Sequence, residues 1–155
     1  MEYQQMSIEL LTDAGNAPLD LLYNADPSVE AVADYLKRGE CFVGKVDDEV
    51  AGVYVLLPTR PFTVELVNVA VEWKFQGKGY GKQLVEHAVK QARERGYKTI
   101  EVGTGNCGMM QLALYQKCGF SMTHIDVDFF RRHYPAPIFE NGMECRHMVR
   151  LSQDL

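Results

Sequence analysis

The first third of the chain changes from a strand-like to a helical and back to a strand-like pattern of apolar positions. Near the N-terminus, apolar and polar residues alternate weakly, as they do in a half-buried strand. The next apolar residues recur at helical spacing, and Asp26-Pro27-Ser28 divides them into two segments before Gly39 ends the second. Asp47-Asp48 then separates two strand-like runs, which is typical of a hairpin, and Pro58 ends the second run. The pattern predicts a strand over residues 6–11, two helices within 18–38, and strands over 41–46 and 49–57.

The rest of the chain alternates strands with amphipathic helices. Apolar residues from Leu84 to Ala92 line one helix face, and a valine-rich strand leads into this helix. A second helix ends at Gly119, because a residue without a Cβ suits the left-handed position after a helix C-terminus. The pattern predicts strands over 63–71, 99–102, 120–127 and 144–151, and helices over 79–95 and 109–118.

The predicted order of elements is β-α-α-β-β-β-α-β-α-β-β. Strands with interspersed helices predict an α/β fold with a mixed central β-sheet flanked by helices. The sheet should be antiparallel at the hairpin and parallel across the helical crossover. At 155 residues, and without internal repeats or a long linker, the chain is predicted to form a single domain over residues 1–155.

The composition is that of an ordinary soluble protein. Apolar residues make up 46% and charged residues 24%, which argues against disorder. The longest apolar run, residues 53–57, is far shorter than the ~18–20 residues of a membrane span, so no membrane association is predicted. The N-terminus lacks a basic stretch followed by an apolar one, which predicts a cytoplasmic protein. Four cysteines without a C-x-x-C pair predict reduced thiols, with neither a disulfide nor a metal site.

The charge is unevenly distributed along the chain. The net charge of −5 argues against nucleic-acid binding. Residues 72–98 contain seven basic and three acidic residues, so this segment carries +4 and the remainder carries −9. One local basic surface on an acidic body could receive a compact anion such as a nucleotide phosphate. The alternative is a solvated helix face with i,i+4 charge pairs.

The most informative motif is a glycine-rich turn between a predicted strand and a predicted helix. Its sequence, Gln76-Gly77-Lys78-Gly79-Tyr80-Gly81-Lys82, leaves backbone N–H groups uncovered at a helix N-terminus, where phosphate groups bind. The alternative is a flexible turn without a ligand. Gln76 and Gln83 stand where a P-loop has its first glycine and its Ser/Thr, which disfavours a nucleotide triphosphatase. The glycine spacing also differs from the G-x-G-x-x-G of a dinucleotide fold.

Two segments carry a family resemblance. Gln76-x-x-Gly79-x-Gly81 is similar to an Arg/Gln-x-x-Gly-x-Gly/Ala signature, and residues 114–120 are similar to a Leu-Tyr-x-x-x-Gly-Phe segment. Both signatures are those of the GNAT superfamily of acyl-CoA-dependent N-acetyltransferases. Residues 65–71 also resemble the central strand of that family. The resemblance implies a GNAT-like fold and acetyl-CoA as cosubstrate; the spacing of the histidines and cysteines, taken separately, predicts that no metal is bound.

The resemblance also implies that the cofactor is held mainly by backbone groups. Val69 and Val71 would pair through their main chain with the pantetheine arm, as an added strand would, whatever their side chains. The pyrophosphate would lie on the glycine-rich turn and be bound there by Gln76, Gly77, Gly79, Gly81 and Lys82.

Two further residues match catalytic positions of the family. Tyr115 matches a tyrosine that can protonate the departing CoA thiolate, and its alternative role is that of a core aromatic residue. An alkylammonium with a pKa of ~10.4 must lose a proton before it attacks, and Glu65 matches a glutamate that accepts it directly or through a water. Burial in the cleft would raise the pKa of Glu65 toward neutrality. The alternative is a solvent-facing Glu65, or one paired with a lysine.

The sequence departs from the family pattern in one place. Many members have Asn seven residues before the tyrosine and Ala four before it, whereas Gly108 and Gln111 stand there in this chain. Asn106, nine residues before Tyr115, is the candidate to donate its amide to the pantetheine. Its shifted register predicts a locally altered acceptor wall.

These features together predict an N-acetyltransferase that transfers an acetyl group to a primary amine by direct attack. The acidic remainder of the chain favours a cationic small-molecule acceptor. The aromatic segment 129–140 should shape the acceptor pocket or a contact in a homodimer. The alternative is a non-catalytic acyl-CoA-binding sensor or scaffold; a third hypothesis is an adaptor that binds a protein partner through this segment.

Overall fold

The first half of the chain forms antiparallel strands and two helices that pack on one face of them. The structure, a computed structural model, describes residues 4–155, so residues 1–3 of the predicted domain lie outside the described part. The elements are β1 (Ser7–Leu10), α1 (Leu19–Ala25), α2 (Val29–Arg38), β2 (Glu40–Val46), β3 (Glu49–Arg60) and β4 (Thr63–Val71). Short 3₁₀ turns lie at Ala14–Asn16 and Trp73–Phe75.

The second half adds three strands to the sheet and covers its other face. Its long helix lies between β4 and the next strand, so the crossover connects parallel strands, as the sequence predicts. Its elements are α3 (Tyr80–Glu94), β5 (Thr99–Gly105), α4 (Met109–Lys117), β6 (Ser121–Asp126), α5 (Phe129–His133), β7 (Phe139–Glu140), β8 (Met143–Glu144) and β9 (Met148–Asp154).

The seven-stranded sheet has the order β1-β2-β3-β4-β5-β9-β6. Within the described residues, β4 and β5 are its parallel pair and the other neighbours are antiparallel. The strands β7 and β8 form a separate small hairpin. The predicted mixed sheet flanked by helices is therefore confirmed.

Two apolar layers hold the helices on the sheet. On one face, Leu84 and Ala88 of α3 are fully buried against the sheet. On the other face, Leu22 of α1 and Val32 of α2 are fully buried against Val53 of β3 and its neighbours. Each fully buried aliphatic side chain contributes roughly 1.5–3 kcal/mol of transfer free energy, so both faces fix the position of β4 between them.

The strands β4 and β5 part halfway along their length. Their pairing runs from Thr63–Thr99 to Leu66–Val102 and continues no further. On the other side of β4, Val55 pairs with Asn68 and Leu56 with Leu66, so Val67 is an extra residue in a β-bulge. A bulge bends its strand and increases the local twist, and a gap therefore opens between the last five residues of β4 and β5.

Several boundaries differ from the sequence prediction, among them the end of β5, which lies at Gly105 instead of residue 102. The strand β3 continues through Pro58, which pairs with Val64 beside an irregularity of the ladder where a missing N–H is tolerated. The last strand runs over Met148–Asp154 because its polar end pairs with Thr99 and the residues after it, which the apolar pattern does not indicate. The segment 129–140 contains the helix α5, and part of it forms the β7–β8 hairpin.

None of the helices in the described part of the chain is long and apolar enough to cross a bilayer.

One partly buried polar pair predicts how stability depends on pH. The hydroxyl of Tyr54 lies 2.7 Å from Nδ1 of His87, between β3 and α3. Burial lowers the pKa of His87 below its ordinary 6.5, and Lys90 lowers it further. The unfolded chain therefore takes up this proton before the folded one, so the free energy of unfolding should fall as the pH drops below about 6.5.

Urea unfolding at pH 7.5 and at pH 5.5 measures this dependence. The His87→Gln variant keeps a hydrogen-bonding group but does not titrate, so its free energy of unfolding should change less between the two pH values. An equal change in both proteins would show that His87 is not responsible.

Candidate active site

A cleft of about 780 Å³ opens where β4 and β5 part. Its walls are the end of β4, the glycine-rich turn, the start of α3, one side of α4, and the tip of the β7–β8 hairpin. Eight of the ten predicted site residues line it: Val69, Val71, Gln76, Gly77, Gly79, Gly81, Lys82 and Tyr115.

The edge of β4 presents backbone groups to this cleft. The N–H of Glu72 donates to the carbonyl of Ala51 at 2.7 Å, which fixes the phase of the antiparallel ladder with β3. Because pairs with and without hydrogen bonds alternate along such a ladder, Val69 and Val71 turn their N–H and C=O groups away from β3. These groups face the side on which β5 has parted.

The start of α3 presents unpaired N–H groups to the same cleft. Gly77 and Gly79 have φ values of 75° and 84°, a left-handed conformation that favours glycine and turns the chain into the helix. The first bond of the helical ladder joins the N–H of Gln83 to the carbonyl of Gly79. No side chain caps this end of α3, so the N–H groups of Tyr80, Gly81 and Lys82 are available to an anion.

Two side chains lie beside these N–H groups. The amide of Gln76 donates to the carbonyl of Val71 at 3.0 Å and holds the turn against the end of β4. Lys82 lies 3.8 Å from Glu86, with both side chains more than half exposed. Such an exposed pair contributes little stability, so the ammonium of Lys82 can turn toward a phosphate in the cleft.

Tyr115 lies on the opposite wall of the cleft. Its ring is nearly fully buried and packs edge-on against Phe120. Burial raises the pKa of the Tyr115 phenol well above its ordinary value, with a smaller contribution from Cys118. The phenol therefore stays protonated at neutral pH and can act as a hydrogen-bond donor.

Glu65 lies on β4 but not among the residues that line the cleft. Its neighbours Val64 and Leu66 pack into the core below α3, so the alternation of the strand directs Glu65 to the other face. Its side chain is 21% exposed, and its carboxylate lies 3.5 Å from the guanidinium of Arg150. Burial raises the pKa of Glu65, Arg150 lowers it, and Glu101 raises it, so that the pKa lies above its ordinary value.

The structure places Asn106 away from the cleft. Its amide nitrogen donates to the carbonyl of Glu144 at 3.1 Å, and its oxygen accepts from the N–H groups of Arg146 and His147 at 2.8 and 3.0 Å. These contacts attach the chain before β9 to the end of β5. Asn106 therefore orders the C-terminal segment rather than facing the cofactor.

The expectation of four reduced thiols is wrong in this structure. Cys107 and Cys145 form a disulfide, with their Cα atoms 5.3 Å apart, whereas Cys41 and Cys118 are free. The two partners are 38 residues apart in the chain, and no local motif marks them as a pair. The bond fastens the chain beside the β7–β8 hairpin to the loop before α4, and the hairpin tip and α4 itself both line the cleft.

The disulfide also bears on metal binding. Among residues 4–155, Cys107, Cys145 and Glu140 are the group of potential ligands whose donor atoms lie within 4.8 Å of one another. Both sulfurs are bonded to each other, so this arrangement offers no thiolate to a metal. That the protein needs no metal stays a prediction.

Sequence reasoning missed several residues that line the cleft or contact Glu65 on the opposite face of the sheet. On the cleft side they come from α4 and from the hairpin, including Gln111, Leu114 and Asn141. The spacing of Gln111, Leu114 and Tyr115 is that of one helix face and could have indicated the first two. Arg150 lies 85 residues from Glu65, and no local signal connects them.

Comparison with known proteins agrees with this architecture. The acetyltransferase (GNAT) family model matches residues 9–120. YvbK of Bacillus subtilis, described as an uncharacterised N-acetyltransferase, is 56% identical over 155 residues, which cover 100% of each chain. A solved acetyltransferase of the same organism in complex with CoA is 56% identical, with a TM-score of 0.94 over 97% of this chain and 99% of the other. A GNAT acetyltransferase from Elizabethkingia anophelis with bound acetyl-CoA is 43% identical, with a TM-score of 0.94 over 97% of this chain and 98% of the other. With a matching family model over more than two thirds of its length, this chain belongs to the GNAT family of acetyltransferases.

Proposed function

We propose that this protein transfers an acetyl group from acetyl-CoA to the primary amine of a small molecule within a ternary complex. The observation that carries the proposal is the cleft in which the free edge of β4 and the uncapped start of α3 lie side by side. The extended thioester arm of the cosubstrate would pair with the free edge of β4, and its diphosphate would bind at the start of α3. Relatives that bind CoA and acetyl-CoA with the same fold support the choice of cosubstrate.

The cosubstrate is held largely by the main chain. The backbone groups of Val69 and Val71 accept and donate along the pantetheine arm as a neighbouring strand would. The N–H groups of Gly81 and Lys82, with the positive end of α3, bind the pyrophosphate. This arrangement points the thioester toward the gap between β4 and β5, where the acceptor meets it.

The acyl transfer moves one proton away from the nitrogen and leaves one negative charge on the sulfur. The neutral amine forms a bond to the thioester carbon as the bond between that carbon and the sulfur breaks. Glu65 accepts the surplus proton of the nitrogen, directly or through a water, and because its pKa is raised above the ordinary value it is a stronger base than an exposed glutamate. Holding both reactants in one gap supplies much of the acceleration.

Tyr115 stabilises the leaving thiolate. A thiol has a pKa of ~8.5, and the pKa of the Tyr115 phenol lies far above that value, so complete transfer of its proton is uphill. We therefore assign to Tyr115 a hydrogen bond to the developing charge on the sulfur, and the proton itself comes from solvent after release.

The Tyr115→Phe variant tests this role. We expect kcat to fall by about 10²-fold while the dissociation constant of CoA changes less than threefold, because the ring that packs on Phe120 is kept. Stopped-flow detection of free thiol measures the first quantity, and calorimetric titration measures the second. Unchanged kcat would remove Tyr115 from the reaction.

The function itself is tested with purified protein, acetyl-CoA and a panel of primary amines. Release of free CoA thiol that depends on the amine, together with the acetylated amine in the mass spectrum, is the expected result. Tight binding of acetyl-CoA without thiol release for any amine would instead favour an acyl-CoA sensor.

A further inference from the structure

A polar network on the face covered by α1 and α2 connects three distant parts of the chain. Asp26, just after α1, accepts a hydrogen bond from the hydroxyl of Tyr35 at 3.2 Å and another from the hydroxyl of Tyr134 at 2.8 Å. Asn68, on β4 next to the bulge, donates to the hydroxyl of Tyr35 at 2.7 Å and to the carbonyl of Leu22 at 3.1 Å. The segment after α5 is thereby fastened across the end of α1.

The protons of this network are all engaged. The hydroxyl protons of Tyr35 and Tyr134 go to Asp26, and both amide protons of Asn68 are donated as well. Burial raises the pKa of both tyrosines above the ordinary value, so neither loses its proton at neutral pH. The carboxylate of Asp26 also accepts from the N–H of Ser28 at 3.1 Å. With three of its roughly four acceptor positions taken, it still offers one to a further donor, and the oxygen of Tyr134 offers another. The amide oxygen of Asn68 is a third acceptor, buried and without a hydrogen-bond partner in the structure.

The negative charge of this network is also unmatched. Other partly buried acidic residues have arginine partners: Glu65 has Arg150 and Asp128 has Arg146. In the described part of the chain, Asp26 has no lysine, arginine or histidine within 4 Å, although it is half-buried. A cluster that presents acceptors and a net negative charge is complementary to a group that carries positive charge and only donates hydrogen bonds.

The network lies beside the point of transfer. Asn68 precedes Val69, whose backbone faces the cofactor cleft, and follows Glu65 by three residues on the same strand. The cleft is walled by α3 and α4, whereas the network contacts α1 and α2 on the other face. Because the pairing of β4 with β5 ends at Leu66 and Val102, we expect an acceptor to reach the thioester between the two strands, from the side of Asp26.

We propose that Asp26, with Tyr134, binds a second cationic group of the acceptor, so that the substrates are amines that carry a further ammonium or guanidinium group. The inference rests on the acetyl transfer proposed above and assigns the part of the acceptor that does not react. Glu65 accepts the proton of the reacting nitrogen, and Asp26 holds the other charged end. Tyr35 positions the carboxylate of Asp26 through its hydrogen bond, and Asn68 in turn holds the hydroxyl of Tyr35.

The test compares two probes of equal length, 1,4-diaminobutane and 4-aminobutan-1-ol, which differ in the charge of one end. The wild-type protein should have a KM at least tenfold lower for the diamine. Asp26→Asn should raise the KM of the diamine about 10- to 100-fold, leave its kcat within threefold, and leave the KM of the amino alcohol and of acetyl-CoA unchanged. Asp20→Asn, an exposed change in the first turn of α1 with the same loss of charge, should change none of these values.

Two further measurements separate this proposal from the function on which it rests. Tyr134→Phe keeps the carboxylate and should raise the KM of the diamine less than Asp26→Asn does, and thermal melting of both variants checks that they fold. Calorimetric titration of 1,4-diaminobutane into the CoA-bound protein needs no turnover. Binding that Asp26→Asn abolishes, without thiol release, would support the cationic site and overturn acetyl transfer. Three results would each overturn the cationic site. They are equal KM values for the two probes, equal effects of Asp26→Asn and Asp20→Asn, and no binding of the diamine.

Discussion

Replacing Glu65 with glutamine is expected to lower kcat by about 10²–10⁴-fold, because the variant can no longer take the surplus proton from the attacking amine. The side chain keeps its size and its position near Arg150, so KM for acetyl-CoA should change little. Burial raises the pKa of Glu65, and a base works only when it is deprotonated. In the wild-type protein, the pH profile of kcat should therefore have an ascending limb, and the pKa of this limb should lie above the ordinary pKa of glutamate. Glu65→Gln should lose this limb, and the measurement is kcat from thiol release between pH 5 and pH 9.

Glu101 offers a matched control for this experiment. It pairs with Glu65 across the parallel strands, and its charge raises the pKa of Glu65. Glu101→Gln should therefore shift the limb to lower pH and retain most of kcat. If Glu65→Gln kept both its kcat and its limb, the proton would have to leave by another route.

The sequence alone could predict those parts of the candidate site whose residues lie close together in the chain. The glycine-rich turn and the valine-rich strand before it are adjacent in the chain, so the motif predicts the backbone donors and the family resemblance adds the open strand edge beside them. Tyr115 belongs to a second local motif that the sequence also contains. For these residues, prediction needed the order of elements and no contact between distant segments.

The rest of the site depends on contacts between distant segments. Tyr134 reaches Asp26 over 108 residues, and Arg150 reaches Glu65 over 85. Asn106 carries a side chain that suits a cofactor contact, yet the backbone of residues 144–147 engages it. Composition suggested reduced thiols, but the pairing of Cys107 with Cys145 follows from where the C-terminal segment folds back on β5. Local pattern identifies the groups that we propose to bind the extended cofactor, whereas tertiary packing determines the residues of the proposed acceptor side.

Gly79→Val should weaken CoA binding at least about 100-fold, because two or more charge-assisted hydrogen bonds from the start of α3 depend on the conformation of this residue. Gly79 has a φ of 84°, which a β-branched residue adopts only with strain, so the turn would rearrange and misdirect the N–H groups behind it. Gly96 provides the control: its φ is 82°, a Cβ would meet no atom within 4 Å at either position, and it lies at the far end of α3. Gly96→Val should therefore lower the free energy of unfolding by a similar amount, as measured by urea unfolding, and leave the calorimetric Kd of CoA unchanged. A similar loss of CoA affinity in both variants would mean that backbone strain acts through the stability of α3 as a whole, and the assignment of its first turn to the pyrophosphate would then be wrong.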